Sequence, residues 1–514
     1  MTTRLLPHAA LCGVLVAGGF AVLTAPAASA ATCTSGVEGD VNGDGYAEVA
    51  VSEAGRSYGR GAVHVFYGRA KGLTAATSGT ALDDQYLDQD EPGVAGTGAD
   101  YDRFGDALAF GDYNDDGCAD LAVGAPEDST AGTVYIFYGS KTGLKTSGSV
   151  RLTQEQVVGD ADVSNASGFG GSLVAADLDD DGVTDLGLAV GARRFGTEGL
   201  GTVVILRGGS GGLSPANQTE LDREANGIDP DETVGNSLAV GDFDGNGVND
   251  LAVGVSQGKL QIFEAGADGL ETIQGPLAGP DVGVDDFIPD VDGEGDRRVF
   301  GDIIAAGDVN ADGRDDLAVG MPAKGLGGTV ALVKGSPSGL VETDTPAKTW
   351  TQASAGVIGT DAEDDAFGAA IEMGKLNPGA YEDLAIGVPG DDIGTKRSAG
   401  SVNILLGSTG GLTTSNEGGA RYHQDTAGVP GTAEIDDALG RTLTIANVQS
   451  KTQGSLIIGV LREKIGSISA AGQFHQLSIK TAGPTGTGSV AFNLDSTGVR
   501  GASRTEAELG RALD

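Results

Sequence analysis

Short apolar runs bounded by Gly, Asp or Pro recur along the chain from about residue 40, and none carries the 3.6-residue helical period. The run LAVGAP at 121–126 returns as VAVSEAG at 49–55, LGLAVGA at 186–192, LAVGV at 251–255, LAVGMP at 317–322, LAIGVP at 384–389 and LIIGV at 456–460. A second run, GTVYIFYGSKTGL at 132–144, returns at 61–73, 201–213, 328–340 and 400–412. Ahead of these lie Phe104-Gly105, Phe169-Gly170, Val234-Gly235, Phe300-Gly301, Phe367-Gly368 and Leu439-Gly440. Outer runs such as RLTQ at 151–154 and TWTQ at 349–352 close each unit. Each unit therefore predicts four short strands: one at the FG pair, one at LAVG, one at TVYIFYG and an outer one. Seven such units, 65–72 residues apart, predict an all-β fold, a seven-bladed β-propeller over residues 31–514.

Between the first two strands of each unit sits an acidic segment of the form D-x-[DN]-x-[DN]-G-x-x-[DE]. Intact copies start at 40, 112, 177, 242 and 308. Side-chain oxygens at positions 1, 3, 5 and 9, with the backbone carbonyl of position 7, suit Ca²⁺, which takes six to eight hard oxygen ligands. The candidate ligands are Asp40, Asn42, Asp44, Tyr46 (carbonyl) and Glu48 in the first loop, and Asp112, Asn114, Asp116, Cys118 (carbonyl) and Asp120 in the second. The third offers Asp177, Asp179, Asp181, Val183 (carbonyl) and Asp185; the fourth, Asp242, Asp244, Asn246, Val248 (carbonyl) and Asp250. The fifth offers Asp308, Asn310, Asp312, Arg314 (carbonyl) and Asp316. Glycine at position 6 permits the sharp turn that lets these groups converge. Position 12 is Val51 or Val123 rather than glutamate, so these are loops between strands and not helix–loop–helix units. About five calcium ions are expected. The copies at 375 and 447 lose the first aspartate, to Lys375 and Asn447, and Lys451 takes the fifth position of the last loop. No metal is expected in either.

The combination FG…GD.N.DG..DLAVGAP resembles the FG-GAP repeat of integrin α-chain propellers. The same repeat occurs in secreted bacterial FG-GAP proteins and in phosphatidylinositol-glycan-specific phospholipase D. The resemblance implies a calcium-stabilised propeller whose loops on one face bind ligands. In integrins it places the metal loops in later blades, whereas here the intact loops are the first five, so blade-specific roles do not carry over.

Composition narrows the function. Asp plus Glu outnumber Lys plus Arg by 73 to 32, and the net charge of −41 repels phosphate backbones and anionic lipid, so no nucleic-acid partner is expected. Residues 9–23 form an apolar run too short to cross a membrane, followed by Ala28-Ser29-Ala30, which predicts a signal peptide over residues 1–30 and a secreted, unanchored, monomeric product. Cys33 and Cys118 then remain as an even pair for a disulfide in an oxidising compartment.

Catalytic patterns are sparse. His64, His423 and His475 form no zinc array; His64 falls in the strand slot of Tyr135, and His423 in an outer strand. The GxSxG at 208–212 aligns with repeat turns at 139–143, 335–339 and 407–411, so it reads as a turn. No catalytic residue is assigned. The leading expectation is a calcium-binding adhesion or ligand-binding module for an extracellular protein or glycan. The alternative is an extracellular hydrolase or polysaccharide-degrading enzyme on the same scaffold. Acidic loops at 83–103, 222–233, 281–298 and 361–366 are candidates for the binding rim. Finally, Leu509-Gly510 near the C-terminus resembles an FG strand with no acidic loop after it, and is expected to complete the first blade, which lacks one.

Overall fold

The computed structural model describes residues 33, 36–55, 59–73, 84–129, 131–158, 168–190, 201–221, 228, 234–255, 259–266, 269–278, 301–322, 327–340, 348–414, 420–480 and 483–514. The expected leader at 1–30, the acidic stretch 281–298 and Phe300 lie outside them.

Seven four-stranded antiparallel sheets form the blades. Blade 2 shows the pattern, from inner to outer strand: Leu108–Gly111, Asp120–Ala125, Thr133–Phe137 and Val150–Thr153. The second and third strands are buried along their whole length, which is why they read as continuous apolar runs rather than alternating ones. The core lies between blades. One apolar layer joins Val65 and Val63 of blade 1 to Leu121 and Phe137 of blade 2. Another joins Leu384 and Ile386 of blade 6 to Val330 and Leu332 of blade 5. No blade buries both faces without its neighbours, so the ring has to close.

Closure uses the chain ends, as the sequence predicts. The strand Leu509–Leu513 pairs antiparallel with Val49–Glu53, matching Leu513 to Val51 and Leu509 to Glu53. Ala50 and Asp514 exchange backbone hydrogen bonds at 2.8 and 3.1 Å. The first blade is thus three strands from the start of the propeller and one from its end.

Two details differ from the sequence reading. The FG pair opens the inner strand in blades 4 and 7, at Val234 and Leu439, but not in blade 2, whose strand starts four residues later at Leu108. Instead Phe104 makes a parallel bridge to Gly61 of the preceding blade, as Phe169 does to Gly132 and Leu439 to Gly400. The FG pair is an inter-blade clasp. Its glycine is left-handed and packs on the glycine of the LAVG run one blade back: a Cβ at Gly387 would stand 2.0 Å from the Gly440 carbonyl oxygen. Second, a short helix, Gln154–Val158, follows the outer strand of blade 2. It takes the last residue of the predicted RLTQ strand, because the Thr153 hydroxyl accepts from Gln156 N in an N-terminal turn.

Candidate metal centres

The five intact loops share one backbone device. Position 6 is left-handed in all of them, with φ between 82° and 92° at Gly45, Gly117, Gly182, Gly247 and Gly313. Position 4 is left-handed as well, at Gly43, Asp115, Asp180, Gly245 and Ala311. The sequence reading anticipated the first and missed the second, since Gly, Asp and Ala together give no residue-type signal.

Hydrogen bonds fix the side chains in the same way in each turn. The first aspartate accepts from the backbone N–H of positions 5 and 6: Asp112 from Asp116 at 3.1 Å and Gly117 at 2.8 Å, and Asp177 from Asp181 at 3.2 Å and Gly182 at 2.9 Å. The fifth residue accepts from the N–H of position 7, at 3.0 Å for Tyr46 and Cys118, 2.9 Å for Val183, 2.6 Å for Val248 and 3.1 Å for Arg314.

The position 9 carboxylate does more than the sequence suggested. It accepts from the N–H of position 2 (Val41 to Glu48 at 2.7 Å, Tyr113 to Asp120 at 3.1 Å, Leu178 to Asp185 at 3.1 Å, Phe243 to Asp250 at 3.0 Å). It also holds the glycine at the end of the third strand: Gly139 N donates to Asp120 at 2.8 Å, Gly208 N to Asp185 at 2.8 Å and Gly335 N to Asp316 at 3.0 Å. The loops further stitch blade to blade. Ala119 N donates to the Asp40 carbonyl at 3.0 Å, Asp315 N to that of Asp242 at 2.8 Å and Glu382 N to that of Asp308 at 3.1 Å. Ala47 N donates to the Asn447 carbonyl at 3.2 Å and carries the stitching across the closure.

Three loops bring three carboxylates within 4.8 Å of one another: Asp40, Asp44 and Glu48; Asp177, Asp179 and Asp185; Asp242, Asp244 and Asp250. In the second and fifth loops the carboxylates occupy the same turns. There burial, then neighbouring aspartates, push Asp120 up to about 8 and Asp316 up to about 6. Burial likewise raises Asp185 to about 6 and lifts Glu48 well above the carboxylate range. Two oxygens await a positive partner: Asn114 Oδ1 and Asp179 Oδ1 are buried without a hydrogen bond. Hard, negatively charged oxygens in a flexible turn, partly unsatisfied, are a donor set that fits a hard cation. Basic side chains offset part of this charge, among them Lys451 beside Asp44 and Lys334 beside Asp316. Arg207 pairs with Asp179 at 3.2 Å and Arg314 with Asp312 at 2.9 Å.

The loops at 375 and 447 are built differently. Pro378 and Ser450 stand at position 4, and Ala380 and Thr452 at position 6; none is left-handed. Proline's fixed negative φ forbids it at 378. Asn377 donates to Asp383 at 2.6 Å, a bond that this loop shares with the intact ones, as from Asn310 to Asp316 at 3.2 Å. Lys451 does not serve its own loop: its ammonium lies 5.5 Å from the Tyr46 ring centre and reaches the Asp44 carbonyl of the first loop at 3.5 Å. Outside the loops, Cys33 and Cys118 form a disulfide with a Cα separation of 4.8 Å, tying the segment before the first loop to the second. His64 is fully buried opposite Val51, in the slot that Tyr135 fills opposite Val123, and bonds Asp84 at 3.1 Å. His423 follows the outer strand Ala420–Tyr422 rather than lying in it. The GxSxG segment is a turn, closed by Gly212 N to the Gly209 carbonyl at 2.7 Å.

The FG-GAP repeat model matches this chain at residues 34–66, 104–137, 234–269 and 300–333. With the seven blades above, the protein is a seven-bladed β-propeller that carries FG-GAP repeats in four places. It is similar to phosphatidylinositol-glycan-specific phospholipase D of Rattus norvegicus, 36% identical over 157 residues, which are 29% of this chain and 17% of that protein. It is also similar to integrin alpha-7 of Rattus norvegicus, 37% identical over 169 residues, 32% of this chain and 13% of that protein. The chain thus matches about a sixth or less of either relative's length. Among solved structures, AofleA of Arthrobotrys oligospora aligns over 76% of this chain and 86% of its own, at 9% identity and a TM-score of 0.38, a likeness too loose to speak to blade number. Among the described residues no helix is long and apolar enough to cross a membrane.

Proposed function

We propose that this protein is a secreted calcium-binding β-propeller that acts as an adhesion or ligand-binding module for an extracellular protein or glycan. The observation that carries the reading is the repeated loop, left-handed at positions 4 and 6, that gathers carboxylates around buried, unsatisfied oxygens such as Asp179 Oδ1. Calcium would be held by positions 1, 3, 5 and 9 and by the carbonyl of position 7, in about five loops. Its contribution is structural: the same loops carry the hydrogen bonds that join successive blades. The likeness to integrin alpha-7 supports a binding role. Ligand contacts would come from the opposite end of the blades, where the acidic segments 84–103 and 361–366 run ahead of the FG pairs and leave Tyr101 68% exposed.

An array of glycans and extracellular-matrix proteins, probed with and without 1 mM calcium, tests this reading. Binding to a defined subset, weakened at least tenfold by chelation and by Tyr101→Ala at an unchanged melting temperature of the calcium-loaded variant, is the expected result. Binding to none, together with turnover of a phosphodiester or polysaccharide substrate, would favour the hydrolase.

A further inference from the structure

Three blade junctions repeat a buried constellation away from the acidic loops. A turn after the second strand supplies one acid, Asp128, Asp391 or Glu463, whose N–H bonds the carbonyl of Ala125, Val388 or Val460. A second acid lies two residues ahead of the FG clasp: Asp102, Asp365 or Asp437. One of its oxygens accepts from the backbone three residues earlier, at 2.7, 2.9 and 2.5 Å respectively. The segment beyond the outer strand adds a glutamine, Gln89, Gln352 or Gln424. All nine side chains are more than nine-tenths buried.

Two of these junctions carry their own counter-charge. Arg151, the register partner of Tyr135, bonds Asp128 at 3.2 Å. Arg421, the register partner of Asn403, bonds Asp391. In blade 7 the equivalent position, opposite His475, is Ala491. His475 does not replace the missing charge, because burial lowers it to about 4 and keeps the ring neutral. What bears on Glu463 is the Gln424 amide, which donates to it at 2.6 Å, and the negative charges of Asp437 and Glu434. The other end of that amide, Gln424 Oε1, is buried with no hydrogen-bond partner, as is Gln352 Oε1 at the junction of blades 5 and 6, where Arg421 bonds Asp391 and not the amide. Lys396 lowers Asp437, but its ammonium is bonded to Asp425 at 3.2 Å and not to either acid of the junction. Two buried carboxylates and a buried amide oxygen without a positive partner are costly to keep.

We propose that the junction of blades 6 and 7 binds a small hard cation, held by Asp437, Glu463 and the Gln424 carbonyl oxygen, in the place that Arg151 and Arg421 fill in their own blades. The ion supplies the positive charge that Ala491 cannot, and it satisfies Gln424 Oε1.

The test is independent of the acidic loops, because Ala491→Arg leaves all of them intact. Intact protein and the variant are dialysed at pH 7.5 against calcium chloride and analysed for bound metal; separately, their melting temperatures are compared in chelator with sodium or choline chloride. One calcium fewer in Ala491→Arg, or a sodium-dependent rise in melting temperature present in the parent and gone in the variant, supports the site and says whether the ion is divalent or monovalent. Glu463→Gln should lose the same ion and serves if Ala491→Arg does not fold. Equal metal content and equal sodium response in parent and variants would overturn the proposal.

Discussion

Chelating divalent cations should lower the melting temperature of this protein by about 7 °C, and calcium should restore it where magnesium restores it poorly. Extracellular calcium sites have dissociation constants of about 10⁻⁴–10⁻³ M. At about 1 mM free calcium and the tight end of that range, each occupied loop contributes about 1.4 kcal/mol. Five independent loops contribute on the order of 7 kcal/mol, comparable with the whole stability of a typical domain, about 5–15 kcal/mol. Magnesium demands a rigid octahedron that these flexible turns do not offer. The effect should also grow with pH. Without metal, Asp120 at about 8 and Asp185 and Asp316 at about 6 all lie above their unfolded values. A raised acid contributes stability that is present below its unfolded pKa and lost as pH rises through the folded one. The metal-free protein therefore loses stability from about pH 4 to pH 8. Calcium keeps the same carboxylates ionised, so its stabilising increment is larger at pH 8 than at pH 5.5. Differential scanning calorimetry at both pH values, with and without chelator, measures this.

Removing residues 505–514 should be nearly as damaging. The segment contributes the inner strand of blade 1 and buries Ala507 and Leu509 completely, in the layer that also contains Val51, Phe66 and Phe474. Loss of one buried leucine costs about 2–5 kcal/mol. Here the loss is joined by the Leu509–Leu513 ladder and by the bond from Asp514 to Phe110 N at 2.6 Å in the adjacent blade. A deficit of roughly 5 kcal/mol or more follows, and the blade 7 to blade 1 interface opens to water. Thermal denaturation of the truncated chain in saturating calcium separates this from the metal effect. An unchanged melting temperature would mean that the ring does not depend on closure by its ends.

The features legible in the sequence were those that repeat with residue identity. The LAVG runs, the glycine at loop position 6 and the orphan Leu509-Gly510 strand all belong to this group, and each led to an element that the fold contains. What escaped depends on backbone shape or on contacts between units. Loop position 4 is left-handed whether it is Gly43, Asp180 or Ala311, so identity hides the conformation. The FG pair reads as a strand, and Val234 and Leu439 do open one, but the bridges of Phe104 to Gly61 and Leu439 to Gly400 one blade away are a relation that no local pattern encodes. Lys451 looks like a substitute charge for its own loop and instead leans on Tyr46 and Asp44, because ring closure brings the last blade beside the first. The buried trio Gln424, Asp437 and Glu463 is spread over 40 residues and has its counterparts, among the described residues, at two other junctions, so it becomes visible only when equivalent positions are compared in space.

The central claim, that the acidic loops are cation sites which hold the propeller together, is tested most directly by calorimetric titration of chelated protein with calcium, run beside the Asp179→Ala variant. The account predicts about five ions taken up by the loops of the parent and one fewer in the variant, whose remaining sites keep their affinity because each loop is in its own blade. An uptake of zero or one ion, with a melting curve indifferent to chelator, would contradict it and reduce the loops to hydrogen-bonded turns.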